Sequence, residues 1–129
     1  SGNISQIAEL CALVGDKLAL YSGNDDQIVP ILACGSKGVI SVLSNVVPKE
    51  TSDICHTFFA GNVKEAMDMQ VKYLGLTNAL FCEVNPVPVK TAMSMLGWCS
   101  GEMRLPLCEM EEANAQRLRK SMQAVGLNV

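Results

Sequence analysis

The sequence predicts an α/β fold of two short parallel strands and about six helices, and three observations carry that prediction. Two apolar runs, Leu18-Ala19-Leu20-Tyr21 and Gly38-Val39-Ile40-Ser41-Val42, lie about twenty residues apart with a helical pattern between them, the rhythm of a βαβ unit. Both runs are apolar on consecutive residues rather than alternate ones, as expected of strands buried on both faces. Beyond Val42 the apolar residues recur at the three-and-four spacing of helices.

Each element follows in order. Ile4, Ile7, Leu10, Cys11 and Val14 share one face of a first helix, Asn3 with Gln6 reads as its capping box, and Gly15 closes it. Leu18–Tyr21 is the first strand. Asn24-Asp25-Asp26 offers N-caps for a second helix through Ile28, Ile31 and Leu32, ending near Gly35, and Gly38–Val42 is the second strand. Pro48 suits a first helical turn, with Val47, Thr51, Ile54, Cys55 and Phe58 on one face before Gly61. Asn62 with Glu65 repeats the capping box ahead of a longer helix whose Val63, Met67, Val71 and Leu74 lead towards Phe81. Asn85-Pro86-Val87-Pro88 breaks the chain before a helix carrying Val89, Ala92, Met93 and Leu96, which Gly97 stops and after which Trp98 packs a loop. Beyond Arg104-Leu105-Pro106-Leu107 comes a last helix, with Glu109, Glu111 and Glu112 near its start and Arg117, Arg119 and Lys120 near its end, complementing the dipole.

Composition narrows the function classes. The 129 residues carry 10 Lys+Arg, 13 Asp+Glu and one His, a net charge of −3, so no basic footprint for nucleic acid or an anionic membrane is present. At 49% hydrophobic and 18% charged, the chain can build a core and fits one domain. Uncharged stretches such as 38–48 fall well short of the roughly 18 residues a membrane span needs, and the N-terminus has no secretory pattern. The six cysteines lack CxxC spacing and sit among apolar neighbours, which points to reduced thiols and a cytoplasmic setting. Neither the cysteines nor the seven methionines have metal-ligand spacing, and no cofactor is expected.

Two parallel strands would leave open edges and uncovered faces, so the chain reads as part of a larger α/β domain. Tyr21-Ser22-Gly23-Asn24-Asp25-Asp26, Gly38-Val39-Ile40-Ser41-Val42, Asn85-Pro86-Val87-Pro88-Val89-Lys90 and Arg104-Leu105-Pro106-Leu107, in that order, resemble the dihydrodipicolinate synthase family over essentially the whole chain. The resemblance implies the C-terminal part of a (βα)8 TIM barrel, with residues 1–60 as its last βα units and 61–129 as a C-terminal helical region. It also implies condensation of pyruvate with aspartate semialdehyde in lysine biosynthesis, through a Schiff base to a lysine in a Lys-Glu-Ala-Ser/Thr-Gly stretch. Ser1-Gly2 matches the end of that stretch, so the lysine is expected three positions before Ser1. No catalytic residue is then expected among these residues, which alone should be inactive.

The resemblance implies site residues one by one. Ile40 stands where the family's isoleucine offers a backbone carbonyl towards pyruvate, Gly23 lies at the C-terminal rim where barrel sites are built, Asn24 replaces a common family aspartate, and Asn85 faces the same rim. Ile4, Ser5 and Cys34 fall in the family's oligomer contact region, and the expected partners are pyruvate, the N-terminal half-barrel and further copies of the chain in a homo-oligomer. Read without the resemblance, Asp25-Asp26 is helix capping, Asn85 a turn former, and Lys37 and Lys90 solvated amines. Cys55 and His56 are adjacent on a helix and point about 100° apart, so they form no dyad. Two alternatives stay open: an N-acetylneuraminate lyase-like or sugar-acid aldolase, which Arg104–Leu107 and Asn85–Lys90 disfavour, and a non-catalytic self-assembling module.

Overall fold

Asn3 opens the first helix as its sequence suggests: the side-chain Oδ1 accepts from the Gln6 amide at 3.2 Å, and α1 runs Ile4–Val14 to Gly15. The computed structural model describes residues 2–129; Ser1, the residue matched to the family's lysine stretch, lies outside them. Five further helices follow among the described residues, α2 (Ile28–Ala33), α3 (Pro48–Phe59), α4 (Val63–Leu80), α5 (Val87–Met95) and α6 (Glu112–Ala124), with 3-10 turns at Gly15–Lys17, Asp25–Gln27 and Leu43–Asn45. The chain divides into two compact units, Ser1–Val71 and Lys72–Val129.

In the first unit the two expected strands reduce to a short parallel ladder. The Lys37 amide donates to the Leu20 carbonyl at 2.7 Å, Ser22 to Gly38 at 2.9 Å and Ile40 to Ser22 at 2.8 Å, around one bridge between Ser22 and Val39. The two-sided burial expected of these runs is not found: Leu18, Tyr21 and Ile40 are exposed, because among the described residues each segment has one paired edge and one covered face. The covered face lies over a core of Ile28, Val29 and Leu32 from α2, Ile54 from α3 and Ala66 from α4, flanked by Val39, Cys55 and Phe58. Pro48 occupies the first turn of α3, where its missing N–H costs nothing, and Thr51 Oγ1 donates back to the Val47 carbonyl at 2.8 Å. Gly61 ends α3 at φ +90°, its amide donating to Phe58 and that of Asn62 to Thr57, the paired bonds of a Schellman cap.

Helix α4 corrects the sequence reading. Its buried residues are Ala66, Gln70, Tyr73, Leu76, Thr77, Ala79 and Leu80, whereas Val63, Val71 and Leu74 of the expected face are exposed and Met67 is partly buried. The buried stripe includes an amide and a hydroxyl, so an apolar-only pattern selects the neighbouring face.

In the second unit, Val87, Val89 and Ala92 of α5 and Leu118 and Met122 of α6 are buried, and α5 lies against α6. Gly97 stops α5 at φ +74° by the same cap as Gly61. Trp98 is 54% exposed rather than covered by a loop. Helix α6 begins at Glu112, so Glu109 and Glu111 precede it, and Arg117, Arg119 and Lys120 stand mid-helix rather than in the last turn. Its start is held instead by Glu83, whose Oε1 accepts from the Glu111 amide at 3.1 Å and the Asn114 amide group at 2.7 Å.

Candidate functional site

The ends of the two extended segments form a rim of backbone and small polar groups. Ser22 is buried, and its hydroxyl accepts from the Asn24 amide at 3.1 Å while donating to the Asn24 carbonyl at 3.0 Å. That two-way bond fixes the turn through Gly23, beside which a Cβ would find open space. Gln27 Nε2 donates to the Gly2 carbonyl at 3.3 Å, and the Asn24 side-chain amide lies beside the same glycine. Gly2, Gly23, Asn24 and Gln27 are thus gathered at one place. Ile40 is joined to it across the ladder through Ser22.

Ile40 is 73% exposed and its amide is used in the ladder, while no donor among the described residues reaches its carbonyl. The following residues are tightly held. The Ser44 amide donates to Ser41 Oγ at 2.8 Å and Ser44 Oγ to the Ser41 carbonyl at 3.0 Å. Asp25, 2% exposed, accepts from the amides of Val42 at 2.9 Å and Leu43 at 3.0 Å through Oδ2. The expected capping role of Asp25 on its own helix is therefore corrected: it caps the 3-10 turn that follows Ile40. Asn24 precedes its turn without a side-chain capping bond, and Asp26 is exposed. Beside the rim, a cavity of about 350 Å³ is lined by Gln6, Leu10, Leu20, Tyr21, Ser22 and Gly23, among others.

The other singled-out residues lie elsewhere. Asn85 stands in the second unit, exposed, joined to Pro86 by a cis peptide ahead of α5. Ile4 and Ser5 are exposed in the first turn of α1, and Cys34, half-buried, follows α2. Lys37 is exposed; Lys90 Nζ donates to the Glu102 carbonyl at 2.5 Å, a neutral partner. His56 is exposed with Nδ1 3.4 Å from Ser52 Oγ, and burial pushes the Cys55 thiol up, which disfavours a thiolate in this pair. Among the described residues no group of three or more His, Cys, Asp or Glu could hold a metal ion, and no helix is long and apolar enough to cross a membrane. Among the described residues the rim offers a carbonyl and carboxamides for hydrogen bonding, and no amine or thiol nucleophile. Asp25, Gln27 and Ser41 escape the sequence reading because their partners lie across a turn or on another segment.

A family model described as the dihydrodipicolinate synthetase family matches residues 1–125. The chain belongs to this family. The 4-hydroxy-tetrahydrodipicolinate synthase of Clostridium perfringens strain SM101 is 54% identical over 127 residues, covering 98% of this chain and 44% of the relative. The chain therefore spans less than half the length of the relatives it matches. Dihydrodipicolinate synthase from Aquifex aeolicus superposes with a TM-score of 0.92 at 38% identity, over 95% of this chain and 42% of that one. The chloride-inhibited enzyme from Acinetobacter baumannii, complexed with pyruvate, gives 0.93 at 33% identity, over 98% and 43%. The 129 residues correspond to the C-terminal part of the family's TIM barrel.

Proposed function

We propose that this chain is the C-terminal part of a pyruvate-dependent aldolase that condenses pyruvate with aspartate semialdehyde in lysine biosynthesis. Its share of that work is to line the pyruvate pocket, and it is inactive without the rest of the barrel. The observation that carries the reading is at the end of the ladder: Ile40 is an exposed residue whose carbonyl meets no donor among the described residues, while the backbone on both sides of it is held. A carbonyl so fixed is a preorganised acceptor at the C-terminal rim; pyruvate itself carries no donor, so the group it meets is the N–H of the imine that pyruvate forms with the lysine of the completed barrel. Gly23 leaves room for substrate beside it, and Asn24 contributes a neutral amide. The pyruvate complex of the Acinetobacter baumannii relative supports the choice of ligand.

Inactivity follows from the amines present. An imine-forming lysine needs a desolvated, lowered-pKa amine inside the barrel. Lys64 heads the stretch nearest to the family motif, Lys64-Glu65-Ala66, but continues with Met67 and is an exposed amine paired with Asp68 on α4. Asn85 is a further substrate-binding residue in the assembled enzyme, and Ile4, Ser5 and Cys34 lie at contacts between copies of a cytoplasmic homo-oligomer.

Treatment with pyruvate and borohydride tests this reading, because hydride traps an imine as a stable secondary amine. The chain alone is expected to keep its mass of 13.8 kDa. Mixed with the N-terminal part of the Clostridium perfringens relative, it is expected to restore trapping on that partner polypeptide and turnover with aspartate semialdehyde. A trapped adduct on this chain, or assembly without trapping, would overturn the reading.

A further inference from the structure

We infer that Asp25 is a positioning residue for pyruvate binding, setting the direction of the Ile40 carbonyl from a different βα turn; the inference rests on the reading above, in which that carbonyl meets the substrate. The orientation of a peptide carbonyl is set by the dihedrals on either side of it. On the near side, the Ile40 amide is fixed by its bond to the Ser22 carbonyl at 2.8 Å. On the far side, only Ser41 separates Ile40 from Val42, whose amide is bound by Asp25 Oδ2 at 2.9 Å, with Leu43 held by the same oxygen at 3.0 Å. Two charge-assisted bonds from one buried carboxylate are stronger than neutral ones and do not yield to water. The anchor also crosses 17 residues of sequence, so it registers the two strand ends against each other rather than stiffening one loop.

The remaining oxygen of the carboxylate, Oδ1, is buried and without a partner among the described residues. Exchange to asparagine would keep one acceptor oxygen for the two amides but lose the charge, and would place the new NH2 where no acceptor waits. Alanine would release both amides. Because the imine formed from pyruvate donates its N–H to the carbonyl in the bound state, a carbonyl turned away weakens the bound adduct, and the loss falls on KM. A merely structural defect would instead lower the amount of assembled enzyme, reducing apparent kcat at unchanged KM.

The test uses the chain assembled with the N-terminal part of the Clostridium perfringens relative, as wild type, Asp25→Asn and Asp25→Ala, with KM for pyruvate and kcat measured per assembled complex. The expected result is a KM for pyruvate raised about tenfold in Asp25→Ala and by a smaller factor in Asp25→Asn, with kcat within about threefold of wild type. An active wild-type complex whose Asp25→Asn variant keeps the wild-type KM overturns the role given to Asp25, and this variant decides the matter should Asp25→Ala fail to assemble. A wild-type complex that neither traps nor turns over pyruvate overturns the underlying reading instead.

Discussion

Gln70 accepts a hydrogen bond from the amide of Val29 at 2.7 Å through Oε1 and, with Nε2, donates to the Asp26 carbonyl at 2.8 Å. One side chain on α4 thereby satisfies a donor and an acceptor at the start of α2, where neither has a helical partner. Gln70 is itself buried, so removing it leaves both backbone groups dry. Gln70→Leu is expected to cost about 1–3 kcal/mol in chemical denaturation, the cost of an unmet buried group. Gln70→Glu separates the two bonds. Ionised, it keeps the acceptor for Val29 but faces the Asp26 carbonyl with a second negative oxygen; protonated, it replaces both bonds. The folded state thus raises the carboxyl pKa above its unfolded value of about 4.3, and stability is expected to be fullest below that pH and to fall as pH rises through the raised value. A variant equally stable across that range would remove Gln70 from this role.

This contact also marks where the sequence stops being legible. Local devices are written in adjacent residues: Asn3 caps α1, Pro48 opens α3, and Gly61 and Gly97 end their helices, each with its partner within five residues. Three other starts are held from afar, α2 by Gln70, the turn after Ile40 by Asp25 and α6 by Glu83. Nothing near Val29, Val42 or Glu111 announces those partners, which is why Asp25 reads locally as a cap of its own helix. The candidate site divides the same way. Gly23, Asn24 and Ile40 are found through their place in ordered motifs, whereas Gln27 and Asp25 appear only when the chain folds them onto Gly2 and Val42.

The facing of α4 can be tested by paired truncations. Ile54 is fully buried in the first unit's core, while Val71, on the apolar face that periodicity selects, is 59% exposed. Ile54→Ala is expected to cost about 2–5 kcal/mol through lost burial and the cavity left behind, and Val71→Ala less than about 0.5 kcal/mol. Comparable losses in urea denaturation would mean that Val71 is covered and that the buried stripe is broader than Ala66, Gln70 and Tyr73 indicate.

Two glycines of one region carry opposite predictions. Gly61 sits at φ +90°, where a side chain strains the backbone even with space around it, so Gly61→Ala is expected to cost about 1–2 kcal/mol. Gly75 lies inside α4, exposed, with open space at its Cβ position and no left-handed backbone. Gly75→Ala is expected to raise stability by about 0.5–1 kcal/mol, since it lowers the entropy of the unfolded chain without native strain. Thermal unfolding of both variants checks the pair, and a destabilised Gly75→Ala would show that something approaches that face of α4.

Thiol reactivity gives a prediction with a definite sign. All six cysteines are free; Cys99 and Cys108 are exposed, while Cys55 is partly buried against the first core and burial raises its pKa. The thiolate is the reacting form, so a raised pKa lowers its fraction at any pH below that value, and limited access slows it further. Timed alkylation with iodoacetamide at pH 8, read by peptide mass spectrometry, is expected to modify Cys99 and Cys108 first and Cys55 late. Raising the pH should speed Cys55 most steeply, because its thiolate population still has furthest to rise. In urea the difference should collapse as Cys55 is exposed and its thiol returns to the ordinary value of about 8.5. Early modification of Cys55 at pH 8 would mean that its helix face opens readily, and with it the packing of α3 on α2.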